Sequence, residues 1–538
     1  MKKIIISAFA IFAVTAAVAQ NSDATLNSVT ETYTLNSDGS IDYDYFKSLT
    51  YNTQFAFNSL FGETFIVYNP EFQTLKINEC YTIQSDGTRI DAPANAFNEV
   101  LPSAAANSSA YNGLREMVVT HTGLETGATA SLSYSIKGKP EGAPILDIDR
   151  IIPVQGANIK EYKIIINLPD GSNKLNWSLD GVKLEPVIKG NTYIWTFRNI
   201  PAASGDPHSP ANHTGTIRFT ATNAASLAEN LRPLTVETFD ICRLPDVVTD
   251  TMSVDEKIAA VQKFMRSRIA TGSVTPDLTG YNLRQCSEVV GSAYGTPAEK
   301  AAAMAKILRG EGIDAQMVVV FPKEITARNI SNISSYLVMA GGKFYDPNRD
   351  GEYNAALRAD RDVIFDLAGN EIAVNPSVVK MDCTATIALC ADSVTMIKDN
   401  CSLAGIADDC SIKAGSIAKR SPYAIYTVAS PSKGVDSWGL QLLPSTRKDL
   451  FEIPYAIDEN CVYTINLDGV SSSTKDKSER IENSAGCVEL KIANDGDSVS
   501  ISRHINLKKS VYSPAEYDDV RQLLLKWQSP AFRSVIVR

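Results

Sequence analysis

The stretch RQCSEVVGSAYGTPAEKAAAMAKILRGEGIDAQMVVVF, residues 284–321, decides how the rest of the chain is read. Thr296 stands just before Pro297 and three residues before Glu299. That is a T-x-x-E capping box with proline at the first helical position, where its missing N–H would have had no partner in any case. The helix it opens carries Ala301, Met304, Ala305 and Leu308 on one face and runs out at Gly310 and Gly312. AQMVVVF then reads as a buried strand, so the stretch predicts a helix laid on a sheet.

Upstream, SVDEKIAAVQKFMRSRI (253–269) repeats the logic, with Ser253 and Glu256 as the capping box and Ile258, Val261, Phe264, Met265 and Ile269 on one face. Downstream, SSYLVMA and, after Gly341-Gly342, KFYDP read as strands. Helices followed by strands predict an α+β region over 250–365. Residues 20–245 are different: short alternating runs such as TLKINECYTI, ASLSYSIKG, EYKIIINLP and TYIWTFRNI are broken by Asp38-Gly39, Asp86-Gly87, Asn112-Gly113, Asp170-Gly171 and Asp180-Gly181. Such spacing predicts hairpins packed as a β-sandwich, with Trp177 and Trp195 in its core. Over 366–538 the β pattern returns in TATIALCA, YAIYTVAS, CVYTINLDG, CVELKIA and SVSISRHINL. This C-terminal β-sandwich closes with a helix starting at Ser513, with Pro514 at N1 and Glu516 at N3, and a short strand, SVIVR. The two β regions are candidates for one repeated plan, though no sequence repeat connects them.

Residues 1–19, MKKIIISAFAIFAVTAAVA, have the two lysines, short apolar run and Ala17-Val18-Ala19 ending of a secretory signal peptide. The apolar run is about 15 residues, short of the ~20 that span a bilayer, and Gln20 rather than a cysteine follows. The expectation is a protein with no membrane anchor, in the periplasm or outside the cell. Removing the two lysines takes the net charge from −10 to −12, which argues against nucleic acid as a partner. In an oxidising compartment clustered cysteines are disulfides first. Six of nine, Cys383, Cys390, Cys401, Cys410, Cys461 and Cys487, lie beyond residue 380. At least two disulfides are expected there, with Cys383–Cys390 and Cys401–Cys410 as plausible local pairs among fifteen full pairings. The odd total leaves a thiol, with Cys80, Cys242 and Cys286 the isolated candidates. No C-x-x-C occurs, and His208 and His213 fall in a Pro/Ala/Ser/Asn-rich loop over 201–215 that reads as solvated. No metal or cofactor is expected.

The 284–321 stretch resembles the core of bacterial transglutaminase-like (papain-like) domains. In that family an R-x-x-x-E-V approach leads to a Gly-x-Cys turn, a helix ending near Leu-Arg, a Gly-Ile-x-Ala turn and a buried strand. Arg284, Glu288 and Val289 match the approach, Gly295 the turn, Leu308-Arg309 the helix end, and Gly312-Ile313-Asp314-Ala315 the next turn. GGKFYDPN (341–348) resembles the G-K-x-Y…D-P-T strand, placing Asp346 where the family has its catalytic aspartate. The resemblance covers about 110 residues directly and implies flanking β domains.

Active members hold a thiolate at a helix N-terminus, where the macrodipole and an imidazole stabilise it, and the aspartate orients that imidazole. Here the cysteine position is Pro297. The histidine should fall within 332–336, but no histidine occurs between His213 and His504. Asp346 alone reads as a turn former. The resemblance therefore implies a noncatalytic pseudoenzyme, a binding or assembly module for a peptide, protein or glycan. The alternative is a cysteine hydrolase or transglutaminase-type enzyme with displaced machinery, Cys286 being the cysteine inside the region. G-x-S-x-G, H-E-x-x-H and phosphate-loop patterns are missing, whereas a pair of carboxylates for glycoside hydrolysis is not testable by pattern.

Overall fold

The alternation in ATLNSVTETYTL gives the strand Ala24–Leu35 a buried and a wet face. The chain reverses over residues 36–40, where Gly39 takes φ +88°, and returns as Ile41–Tyr51. A computed structural model describes residues 22–538 except 143–144, 173, 204, 211–216, 236–242, 245 and 407–408. The expected signal segment, His213 and Cys242 lie outside the described residues.

The protein is multidomain and mostly β-sheet, with few helices. The N-terminal region is an eight-stranded sheet in the order Val187–Lys189, Thr192–Ile200, Ala157–Asn167, Ala24–Leu35, Ile41–Tyr51, Thr129–Gly138, Gln73–Ile83, Arg89–Asp91. Two three-stranded sheets pack on it. One, made of Asn176–Asp180, Arg218–Thr222 and Asp147–Ile151, brings Phe219 against Trp195 at 4.7 Å between ring centres. Trp177 lies 5.3 Å from Trp195, so both tryptophans are core, as expected. The other small sheet, Glu63–Tyr68, Arg115–Thr120 and Phe97–Val100, buries Ile66 and Val119 against Leu132 and Tyr134.

In the central region both capping boxes form, opening the helices Val254–Arg268 and Pro297–Gly310. The second buries Ala301, Met304, Ala305 and Leu308 against a five-stranded antiparallel sheet, ordered Lys343–Tyr345, Ser335–Ala340, Ala315–Pro322, Asp362–Asp366, Glu371–Ile372. Between the helices, Cys286–Ser292 forms a short helix of its own.

The C-terminal region has a six-stranded sheet, ordered Val394–Ala404, Val379–Leu389, Ile457–Leu467, Ser498–Leu507, Gly486–Asn494, Lys477–Asn483. The helix Tyr517–Trp527 packs on it through Val520, Leu523, Leu524 and Trp527. That helix begins three residues later than expected, at Tyr517 rather than Pro514. Ser513 and Glu516 do bond to each other, but within the preceding turn.

Both large sheets share a four-strand plan. A hairpin's first strand takes a later strand in parallel along its other edge, and that strand takes another antiparallel. In one sheet this is Ile41–Tyr51, Ala24–Leu35, Ala157–Asn167, Thr192–Ile200. In the other it is Val394–Ala404, Val379–Leu389, Ile457–Leu467, Ser498–Leu507. Among the described residues each sheet draws its strands from within 24–222, 270–372 or 379–537. No helix there is long and apolar enough to cross a membrane, which says nothing of a β-barrel.

The cysteine pairing departs from expectation. Register places Cys383 directly opposite Cys401, and Cys410 joins them, the three sulfurs lying within 4.8 Å of one another. Cys401 is bonded with both neighbours at hand, and one sulfur makes one disulfide, so the cluster holds one bond and one thiol. Cys390, past the end of the strand, meets Asp468 instead, and Cys461 and Cys487 stand outside any disulfide. Of the expected pairs, Cys401–Cys410 is one of the two pairings open to Cys401 and Cys383–Cys390 is not formed; among the described residues no second, independent disulfide occurs.

Candidate functional site

Thr296 caps the Pro297–Gly310 helix through its hydroxyl, which accepts from the Glu299 N–H at 3.2 Å, while Glu299 accepts from the Thr296 N–H at 2.9 Å. The Glu299 carboxylate is buried and receives two further bonds from Arg284, at 2.8 and 2.9 Å, and one from the Tyr111 hydroxyl at 2.7 Å. Burial acts to raise the Glu299 pKa, but these hydrogen bonds and the Arg284 charge outweigh it and hold the carboxyl below its ordinary value. Arg284, matched to the family's approach, holds the helix start from within the central region, and Tyr111 ties it to the N-terminal region. Beneath the first turn, buried Lys300 donates to the Ile269 carbonyl and the Thr271 hydroxyl, both at 2.8 Å. Burial pushes its pKa down to about 8, opposed by Asp346.

A cavity of about 500 Å³ opens at this helix start. Thr296, Pro297 and Ala298 form one wall, and Ser273, Thr275 and Tyr281 face them. The segment expected to hold the histidine contributes Ile333 and Tyr336. Among the described residues, neither an imidazole nor a thiol lines this cavity. Asp346 is not on the wall. Its carboxylate accepts from the Asn348 N–H at 2.8 Å and lies 3.4 Å from Arg349, and its carbonyl accepts from Gln262 at 3.0 Å. Its carbonyl also accepts from the Arg349 N–H at 3.1 Å, closing the turn after the strand Lys343–Tyr345.

Cys286 is buried, and its thiol donates to the Ala303 carbonyl at 3.8 Å. It borders a different cavity, of about 240 Å³, beside Arg284, Lys306 and Arg309. His504 bonds Asp458 at 2.7 Å, and the His208 ring lies edge-on to Phe451.

One imidazole–thiol contact does occur, in the N-terminal region. Cys80 Sγ lies 3.8 Å from His121 Nδ1, and His121 Nε2 lies 3.1 Å from the Thr64 hydroxyl, which accepts from Lys47 at 2.6 Å. Burial pushes His121 down to about 3 and Lys47 down to about 8, and raises Cys80. Near neutrality the thiol and imidazole are both uncharged, so the contact is a polar core cluster rather than a thiolate–imidazolium pair.

Residues that sequence reasoning missed complete the cleft. Asp147, Asp149 and Arg150, from the strand Asp147–Ile151, form its N-terminal wall. Asp147 accepts from the Ser331 N–H and hydroxyl at 3.0–3.2 Å, and burial of its carboxyl lifts the pKa to about 7 despite those bonds. Arg150 donates to Glu31 at 2.9 Å. The only signal for these residues was three charges within DIDRI, on a strand otherwise meant for a core.

Two family models match the chain, both described as domains of unknown function with solved structures: DUF3857 over residues 37–204 and DUF3858 over 423–537. Among solved structures, a Parabacteroides distasonis protein described as a "putative protease" matches at 32% identity and TM-score 0.77, over 96% of this chain and 99% of that one. A CBM3a-L domain from the Clostridium thermocellum cellulosome scaffoldin matches at 16% identity and TM-score 0.15, over 22% of this chain and 69% of that one. Yeast LTA4 hydrolase with bestatin matches at 10% identity and TM-score 0.20, over 39% of this chain and 31% of that one. At such TM-scores the last two carry no argument. No curated protein matches.

Proposed function

We propose a function from one premise: this chain belongs to the family of the Parabacteroides distasonis protein that it matches end to end. It works by binding, with a transglutaminase-like region over 250–365 between β regions over 20–245 and 366–538, in the periplasm or outside the cell. The observation that carries this reading is the cavity at the start of the Pro297–Gly310 helix, open where active transglutaminase-like domains hold substrate yet lined by neither thiol nor imidazole. A filled cleft would instead have favoured a spacer between β regions. The test is to incubate the mature protein with peptide and acyl-donor/amine libraries. No turnover is expected, and ligand capture should be lost when exposed Ser273, on the cavity wall, is changed to Trp.

A second reading, a cysteine hydrolase with displaced machinery, draws on the relative's description as a protease and on the Cys80–His121 contact. Turnover abolished by Cys80→Ala or Cys286→Ala would establish it and overturn the binding reading.

A further inference from the structure

Building on that binding reading, we propose that the ligand is an uncharged oligosaccharide that runs from the Pro297 chamber, past Arg150 and Asp147, into a second chamber on the N-terminal sheet. The second chamber, of about 290 Å³, shares Asp147, Arg150, Asp277 and Tyr281 with the first. The two cavities therefore meet at a polar waist, and each is of the order that holds part of a small ligand.

Aromatic rings dominate the second chamber. Tyr33, Tyr43 and Tyr134 line it with ring centres 5.0 and 6.0 Å apart, and Phe65, half-exposed, adds another ring. Tyr33 and Tyr134 are buried, so the faces open to the C–H face of a sugar ring are those of Phe65 and half-buried Tyr43. The first chamber supplies hydroxyls instead, from Ser273, Thr275, Ser331 and Tyr336.

Three of the charged residues at the waist are satisfied inside the protein, whereas Asp277 is exposed. Arg150 is matched by Glu31 at 2.9 Å and Asp149 by Arg218 at 2.7 Å, while Asp147 is held by Ser331. A charged ligand of either sign would meet a like charge at the waist, Asp277 or Arg150, and bear its own desolvation cost. What remains is a mixture of donors and acceptors, which suits a hydroxyl because it is both at once.

Tyr281 marks the waist as constrained. It holds φ +60° directly after Gly280 at +62°, a left-handed conformation that a bulky side chain rarely adopts, and it lines the cleft beside Asp147. Backbone strain of this kind concentrates at ligand sites. An extended peptide would seek a free strand edge, yet the strand bordering the cleft has carbonyls already engaged. Ile148 O accepts from Asn329 at 2.9 Å, and Asp149 O accepts from Arg150 at 2.9 Å.

The test is calorimetric titration of the mature full chain with neutral gluco-, xylo-, manno- and chito-oligosaccharides, and in parallel with a peptide panel. Ser273→Trp narrows the first chamber and Phe65→Ala removes a ring from the second; both positions are exposed, and thermal melts check that folding is kept. Saccharide binding that weakens roughly tenfold or more in each variant is the expected result. Saccharide binding indifferent to both variants would place the sugar elsewhere and overturn the proposal. Peptide binding alone, lost in Ser273→Trp, would overturn the saccharide assignment while leaving the binding function standing. Binding of neither panel would bring down both.

Discussion

Placing a cysteine at position 297, the nucleophile's place under the transglutaminase-like reading, would supply a thiol without its chemistry. The thiol would face Tyr336 and Ile333 where an imidazole is needed, and with an ordinary pKa of about 8.5 only a few per cent would be thiolate at neutral pH. Pro297→Cys is therefore expected to show no acyl transfer or hydrolysis above the parent protein in an ammonia-release assay. Asp147 gives a pH-dependent prediction. Its folded pKa of about 7 stands above the ordinary value of about 3.9, so the folded state keeps the proton through that window. Stability then falls as pH rises through it, because an ionised carboxyl must stay buried. Asp147→Asn should gain on the parent in urea midpoint as pH goes from about 5 to about 8; a constant difference would refute the assignment. That no histidine lies between positions 213 and 504 was legible because it needed only residue types along the chain. The polar waist was not, since nothing in DIDRI says which residues will face it.

At the scale of elements, local signals served best where all partners lie within one turn. Thr296 and Glu299, like Ser253 and Glu256, fix helix starts through bonds three residues apart. The same pattern at Ser513–Glu516 closes a turn instead, with the helix proper starting at Tyr517. Glu299 does more than cap. Glu299→Ala would leave Arg284 without its carboxylate and Tyr111 without its acceptor, and should cost about 3 kcal/mol in chemical denaturation. Disulfide pairing was out of reach, because it depends on strand register, and a shift of one residue would turn Cys383 away from Cys401. Nonreducing peptide mapping should find one disulfide through Cys401, a thiol on Cys383 or Cys410, and Cys461 and Cys487 alkylatable on unfolding. A Cys383–Cys390 bond would contradict the register.

Across the whole molecule, the N-terminal and central regions are joined by buried polar bonds as well as by the cleft. Fully buried Asn329 donates to the carbonyls of Ile148 and Ala221 and accepts from the Asn332 N–H. Asn329→Ala strands those carbonyls and should cost about 2 kcal/mol. Hydrogen exchange should rise both in residues 147–151 and in residues 325–333, whereas a rise confined to the second segment would mean that the regions are independent. The sequence by itself determined the order of β, helical and β regions, two of the three capped helix starts and the lack of a histidine between positions 213 and 504. Hydrophobic period, caps and residue identity act over a few positions and can be read along the chain. Only the tertiary structure decided which cysteines meet, that both large sheets share a strand plan, and that Asp147 and Arg150 complete a cleft opened by Pro297. Those depend on contacts between residues far apart in sequence, such as Asn329 with Ile148 across 181 positions, whose pairing is set by the packing of whole sheets rather than by any local pattern.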